Sequence, residues 1–308
     1  MDIAREVEGR HDSPYRIFAF IGRKEPDYNP RRVMVHEGFE PLHDELLEKK
    51  VDRIIVALDD RRGGTPIQDL LNYKLQGIAV EQGLSFFEKL TGKIMVERID
   101  PSSIIFSDGF SVNRAQAFGK RFFDITLSLL LLTLSLPVIG LSALIIKLET
   151  PGPVLYSQER VGKGRRVFNV LKFRSMVQDA EKDGAVWATT NDCRVTRFGG
   201  FIRKVRIDEL PQLFNVLRGE MSLVGPRPER PIFVERLKKT IPFYDIRHDV
   251  RPGVTGCAQV SYPYGASEED ALRKLEYDLY YLKHISISFD LMLIFKTVKT
   301  VLFAKGGR

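Results

Sequence analysis

The chain has 308 residues, 44% hydrophobic and 28% charged, with 47 Lys and Arg against 40 Asp and Glu for a net charge of +7. That hydrophobic share and the 20 Phe exclude a disordered or low-complexity chain, and the length predicts two domains. Cys193 and Cys257, with no CxxC or His/Cys cluster, exclude a disulfide framework and a cysteine-rich zinc site; without a signal peptide they point to a reducing compartment.

Residues 15 to 115 read as a small α/β domain. β-rich runs at Arg16–Ile21, Arg53–Leu58, Gly77–Val80 and Lys93–Ile99 alternate with helical patterns at Pro41–Lys50, Pro66–Leu75 and Leu84–Leu90. The alternation predicts a parallel sheet with crossover helices, similar to half of a nucleotide-binding Rossmann unit. GxGxxG is missing. The one glycine pair, Gly63-Gly64, follows Asp59-Asp60-Arg61-Arg62 and opens a helix at Thr65-Pro66. Docking or regulation is therefore the expected role, ahead of cofactor binding.

From Ile125 to Ile146 run 22 residues without a charge, enough at ~1.5 Å per residue to cross a ~30 Å hydrocarbon core. Pro137 lies near the middle and removes a helical hydrogen bond, which favours a kink. Lys120 and Arg121 precede the segment and Lys147 follows it, so the positive-inside bias draws both flanks to the cytoplasm. A helix that enters, bends at Pro137 and returns satisfies both features. A kinked through-span and a buried core helix are the alternatives.

After Pro151-Gly152-Pro153 the pattern predicts strands at Val154–Ser157 and Arg166–Phe173, then helices at Ile207–Leu217, Pro231–Lys239 and Glu268–Lys283. Phe289–Ala304 is apolar with Asp290, Lys296 and Lys299 interspersed, too polar to span; an interfacial helix and a buried amphipathic helix stand as equal readings. Between Ser157 and Arg206, 12 Lys and Arg stand against 5 acids, the whole of the chain's excess. A concentrated basic surface attracts phosphates, and a solvated basic face is the plainer alternative.

Within this region Asp208-Glu209 follows the basic run Arg203–Arg206 at the start of a predicted helix. Neighbours on a helix point about 100° apart, so the two carboxylates suit separate tasks rather than a shared proton. Acids complementing a helix dipole are the common alternative. Gly219–Glu229 reads GEMSLVGPRPE, with Arg227 between two prolines that restrict its backbone and favour a bidentate phosphate clamp. Arg251-Pro252-Gly253 partly repeats the pattern. Lys172 and Arg174 alternate, on one face if the segment is a strand.

KRFFD (120–124), SQERVG (157–162), KFRSM (172–176), RIDELPQLFNVLRGEMSLVGPRPE (206–229), RPGVTGCAQV (251–260) and the YDLYYL…SFDLMLIFKTV tail (277–298) occur in order over about 60% of the chain. From about Lys120 to Phe303 the chain thereby resembles the bacterial sugar transferases that act on polyprenyl phosphate, the monotopic phosphoglycosyl transferases. The resemblance implies transfer of a sugar 1-phosphate from a UDP-sugar to undecaprenyl phosphate with release of UMP. This would be the first membrane step of exopolysaccharide or other glycan synthesis, on the cytoplasmic face of the bacterial inner membrane.

It further implies that Asp208 is the nucleophile of a phosphosugar–aspartyl intermediate and a ligand of Mg²⁺, with Glu209 as its partner in metal or proton handling. Lys172, Arg174, Arg227 and Arg160 become candidate phosphate contacts, and Arg251 a candidate on the nucleotide side. Ser135 and Pro137 become the re-entry motif, with the serine one position early. The N-terminal region resembles the soluble α/β domain of larger members, which suggests a homodimer.

The expected architecture is then an incomplete Rossmann-like α/β domain over 1–115, a re-entrant membrane helix over 116–150, and a catalytic domain over 151–308. That last part is mainly α (α+β), with interfacial amphipathic helices. A non-catalytic membrane scaffold is the rival reading, against which the intact Asp208-Glu209 and Arg227 speak. Nucleic acid, suggested only by the basic window, is not expected as a partner.

Overall fold

The computed structural model describes residues 3–10, 13–22, 28–40, 46, 51–57, 66–99, 104, 109–177, 194–263, 265 and 267–302. The chain divides into two units, Met1–Met95 and Val96–Arg308.

In the first unit, helix α1 (Ile3–Glu8) precedes two strand pairs, both parallel: β1 (Phe20–Ile21) with β2 (Val35–His36), and β3 (Arg53–Val56) with β4 (Ala79–Gln82). Parallel β3 and β4 need a crossover, and α2 (Ile67–Leu75) lies between them in the chain. α3 (Gly83–Thr91) follows and ends at Gly92, which takes the left-handed conformation that a helix C-cap favours. Phe39, Leu46, Leu70, Tyr73 and Ile78 form the core.

Among the described residues the two pairs remain separate, so no single Rossmann-like sheet is seen. Lys93–Ile99, expected as a strand, is irregular and then a 3-10 turn at Val96–Arg98. Ile94 and Val96 are both buried, which gives the alternation of a strand, but they join no ladder. The Pro41–Lys50 helix, except Leu46, and Gly63-Gly64 lie outside the described residues, as does Cys193.

In the second unit, after the 3-10 turn at Val96–Arg98, comes α4 (Arg114–Glu149), a helix of 36 residues. Asn113 caps it, accepting from the Gln116 backbone while the Gln116 side chain accepts from the Asn113 backbone. The helix is continuous through Pro137, where the sequence suggested a bend and return. Pro137 cannot donate to the Thr133 carbonyl and its ring crowds that carbonyl, yet the helical conformation persists on both sides of it. Ser135 donates its hydroxyl to the Leu132 carbonyl at 3.2 Å. Asp124, Ser128, Ser142 and Ile146 are buried, whereas Leu129, Leu130, Leu134, Leu136, Leu141 and Leu144 are exposed.

β5 (Leu155–Val161) and β6 (Val167–Phe173) then form an antiparallel hairpin, with Leu155 opposite Phe173. After the undescribed 178–193 come α5 (Arg197–Lys204), a 3-10 turn at Ile207–Glu209, and α6 (Gln212–Arg218). β7 (Ser222–Val224) pairs in parallel with β8 (Gly253–Thr255), and α7 (Pro231–Thr240) and a 3-10 segment at Tyr244–Asp249 lie between them in the chain. α8 (Cys257–Ser261), α9 (Glu268–Lys283) and α10 (Ile287–Leu302) complete the unit.

Val216, Met221, Val224, Tyr281 and Leu293 lie in its main core, while Ile146, Phe173 and Ile202 form a second cluster against which Ile207 packs. α10 reconciles its two readings. It turns Asp290 and Leu293 inward but leaves Leu291, Met292, Phe295 and Val298 exposed, so its outer face is apolar. Asp290 is fully buried and accepts from the Lys120 ammonium at 2.5 Å and the Tyr281 hydroxyl at 2.8 Å. Lys120 also reaches the Val224 carbonyl at 3.2 Å, and Asp124 accepts from the Leu223 backbone at 3.1 Å. α4, β7 and α10 thus meet at one ion pair whose acid is fully buried.

Candidate active site

Asp208 and Glu209 sit on the 3-10 turn rather than inside the helix expected over Ile207–Leu217. The cause is local. Arg206 holds φ 60° and ψ 19°, a left-handed conformation that costs a non-glycine residue energy and breaks helical continuity after α5. Ile207 anchors the turn in one apolar cluster and Leu210 in the other, so both carboxylates are held from both sides.

Each carboxylate is 7% exposed, yet their surroundings differ. Glu209 accepts from Lys172 at 3.2 Å, Arg227 at 2.9 Å and Arg206 at 3.4 Å. Those three cations outweigh its burial and hold its carboxyl well below the usual range. Asp208 has an oxygen, Oδ1, that is buried with no hydrogen-bond partner. Burial, then the charge of Glu209, pushes its carboxyl up to about 6, opposed by Lys172, Arg203 and Arg206. Adjacent carboxylates are thus driven apart, one firmly ionised and engaged, the other poised and unengaged on one oxygen, which suits different chemical tasks.

The structure brings Lys172, Arg227 and Arg160 into this neighbourhood. Arg160 donates to the Pro228 carbonyl at 3.1 Å and lies near enough to Arg227 for their like charges to oppose each other. Arg174 and Arg251 go elsewhere. Arg174 is one residue past the end of β6, so the alternation with Lys172 fails; its guanidinium donates to the carbonyls of Thr150 and Pro151 at 2.8 Å. Arg251 donates to the Gly219 carbonyl at 2.9 Å, at the end of α6 remote from Asp208, where Arg121 caps Val216 and Leu217. Both arginines satisfy carbonyls that a helix end leaves without internal donors.

Sequence reasoning also missed several supporting groups. The repeated Pro-Gly signal has a steric origin: a Cβ on Gly225 would overlap the Arg251 carbonyl, and one on Gly253 the Gly225 backbone. Asn215 accepts from the Leu171 backbone at 3.0 Å and donates to the Asn169 carbonyl at 2.7 Å, tying α6 to the strand that carries Lys172. Buried Arg247 donates to the Arg227 carbonyl at 2.9 Å and the Tyr244 hydroxyl at 2.7 Å, and pairs with Asp278 at 2.8 Å. It fixes the Pro-Arg-Pro loop from behind. Arg247→Lys keeps the charge but cannot serve three acceptors in a plane. Turnover should fall about tenfold or more, since small misplacements of positioned groups are costly, and the thermal midpoint should fall with it, because a buried acceptor loses its donor; unchanged turnover would mean the loop is held without it.

Among the described residues no three His, Cys, Asp or Glu side chains converge as a ligand set. Mg²⁺ does not require one, because it takes one or two carboxylates and completes its shell with water and phosphate oxygens. The unpartnered Asp208 oxygen fits that role.

Paired carboxylates with separated ionisation, beside Lys172, Arg206 and Arg227 in a unit with a long, exposed apolar helix, suit one class of protein: an enzyme acting on phosphate groups at an apolar surface. Comparison narrows this. Residues 115–304 match the family described as bacterial sugar transferase, and the chain belongs to that family and is a phosphotransferase.

The chain is 43% identical over 306 residues to a UDP-N-acetylgalactosamine-undecaprenyl-phosphate N-acetylgalactosaminephosphotransferase of Aeromonas hydrophila, covering 95% of this chain and 71% of that one. It is 40% identical over 268 residues to an undecaprenyl-phosphate glucose phosphotransferase of Komagataeibacter xylinus, covering 84% of this chain and 50% of that one. A UDP-glucose:undecaprenyl-phosphate glucose-1-phosphate transferase of Escherichia coli is 42% identical over 181 residues, 58% of this chain and 39% of its own length.

Proposed function

We propose that the protein transfers a sugar 1-phosphate from a UDP-sugar to undecaprenyl phosphate, as the opening membrane step of exopolysaccharide or other glycan synthesis. The observation that carries this reading is the buried Asp208 with its unpartnered oxygen, beside a Glu209 already held by three cations. In the first step an Asp208 oxygen attacks the phosphorus that bears the sugar. The bond from that phosphorus to the bridging oxygen breaks, and UMP leaves with the electron pair. In the second step a phosphate oxygen of undecaprenyl phosphate attacks the same phosphorus, displaces the Asp208 carboxylate and forms the lipid-linked diphosphate sugar.

Lys172 and Arg227 supply positive charge where the phosphates must lie, and Glu209 keeps both in place between turnovers. Asp208, with Glu209 beside it, would hold Mg²⁺, which neutralises the charge of a diphosphate when bound.

Two observations support a one-sided attachment to the membrane. Near its start α4 is fixed by Lys120 and Arg121, and at its end by Ile146 packing on Phe173 and Ile202 and by Arg174 on Thr150. Both ends therefore belong to the same body, while the apolar stretch between them is largely exposed. A through-span would place them on opposite sides of the bilayer. The basic flanks and a water-soluble nucleotide donor support reading that side as the cytoplasm.

The test is UMP release by the full chain in nanodiscs containing undecaprenyl phosphate and Mg²⁺, with UDP-glucose, UDP-galactose and their N-acetylated forms. UMP formation that depends on one sugar and on the lipid is expected. No UMP from folded protein with any donor would leave the scaffold reading in its place.

A further inference from the structure

A groove of about 450 Å³ lies between α4 and α10, and its lining includes Glu209, the neighbour of Asp208 on the carboxylate turn. Leu127, Leu131 and Leu134 come from one face of α4, and Ile294, Val298 and Val301 from one face of α10. Their spacing of three and four residues gives each helix a single apolar stripe along the groove. Its charged lining is confined to Lys204, Arg206 and Glu209, next to Asp208. Leu134 and Val298 line the groove and are also 69% and 50% exposed, so it is an open trough continuous with the outer apolar faces of both helices. Thr255 and Thr297, both in the lining, share a hydrogen bond at 2.7 Å that ties α10 to β8.

We infer that this groove seats the first isoprene units of the polyprenyl phosphate acceptor, with its phosphate at Lys204 and Arg206. The inference rests on the transfer reaction proposed above and assigns the acceptor its place. Charge and shape select this occupant. A nucleotide sugar has nothing apolar to set against two stripes of leucine, isoleucine and valine. A phospholipid has a phosphodiester, with glycerol between its charge and its acyl chains, so it cannot place a terminal phosphate oxygen beside Asp208 while its tail fills the trough. A prenyl phosphate carries a terminal phosphate directly on its first branched unit. The volume falls within the range of small-molecule sites, ~300–1,000 Å³, so the trough takes the start of a long prenyl chain and the remainder stays in the bilayer.

The experiment has two arms, both on the full chain in nanodiscs. Leu131→Trp and Ile294→Trp fill the trough from opposite walls without altering the carboxylate turn. Each should raise the KM for undecaprenyl phosphate at least tenfold and leave that for the UDP-sugar unchanged. In the second arm, undecaprenyl phosphate bearing a diazirine on its first isoprene unit is photolysed with the unaltered protein and no donor. Label should fall on peptides of α4 and α10, and unlabelled undecaprenyl phosphate should compete it away.

An unchanged acceptor KM in both variants, or an equal rise for both substrates, overturns the inference. So does label placed elsewhere, or label that phosphatidylglycerol competes equally, which would mark an ordinary lipid contact. The labelling arm needs no turnover. If the tryptophan variants fail to fold, it decides alone; if label is correct but no donor yields UMP, the transfer reading fails and the lipid-phosphate groove stands.

Discussion

Replacing Asp208 by asparagine should abolish sugar-phosphate transfer and at the same time make the folded protein more stable above pH 6. The rate should fall by more than about a thousandfold, the scale of removing a nucleophile. The stability gain follows from the carboxyl's elevation from an ordinary value of 3.8 to about 6, chiefly by burial. Between those two values the folded state binds more protons than the unfolded chain, so stability falls as pH rises through the interval, and the full deficit persists above it. At ~1.4 kcal/mol per unit the deficit is about 2–3 kcal/mol. Asparagine carries no charge to desolvate. Thermal midpoints of the two proteins, measured without metal, should coincide near pH 3.5 and separate by pH 8, with the variant higher. A variant less stable at pH 8 would show that unseen contacts of the carboxylate outweigh its desolvation.

Lys120→Met should destabilise the catalytic unit by about 3–5 kcal/mol, because it leaves a buried charge without its partner. Asp290 is fully buried, and burial already raises its carboxyl against the opposing pull of Lys120 and the Tyr281 hydroxyl. The double change Lys120→Met, Asp290→Leu should recover most of the loss, since paired apolar replacements remove both charges at once. Denaturation of the single and double variants in detergent would measure this. Additive losses would show that the pair is not coupled.

How much of this was legible in the sequence varies by element. α9 begins and ends where its pattern placed it, Glu268–Lys283, because Ser267 and Asp270 form a reciprocal cap at its start. The β5–β6 hairpin was visible as two runs, although the first extends to Val161 instead of stopping at Ser157. Asp208 and Glu209 stood out by motif, and their contrasting environments did not, because those depend on partners brought from 18 to 37 residues away. The left-handed Arg206 was illegible in principle: nothing in an arginine signals a conformation that favours glycine. The same limit hid the targets of Arg174 and Arg251. A guanidinium fits a backbone carbonyl as well as a phosphate, and residue type alone does not choose between them.

The Lys120–Asp290 contact also has a consequence for synthesis. Its partners are 170 residues apart. At ~5–20 residues per second, roughly ten to thirty seconds separate their emergence from the ribosome. For most of that interval, once Glu149 has emerged, the apolar helix is complete while α10, which supplies its buried counter-charge, does not yet exist. Lys120 and Asp124 must remain hydrated until Asp290 and β7 are in place. Burial of this unit is therefore a late event, and a nascent chain released before Asp290 would carry its long apolar helix with no closed domain packed against it.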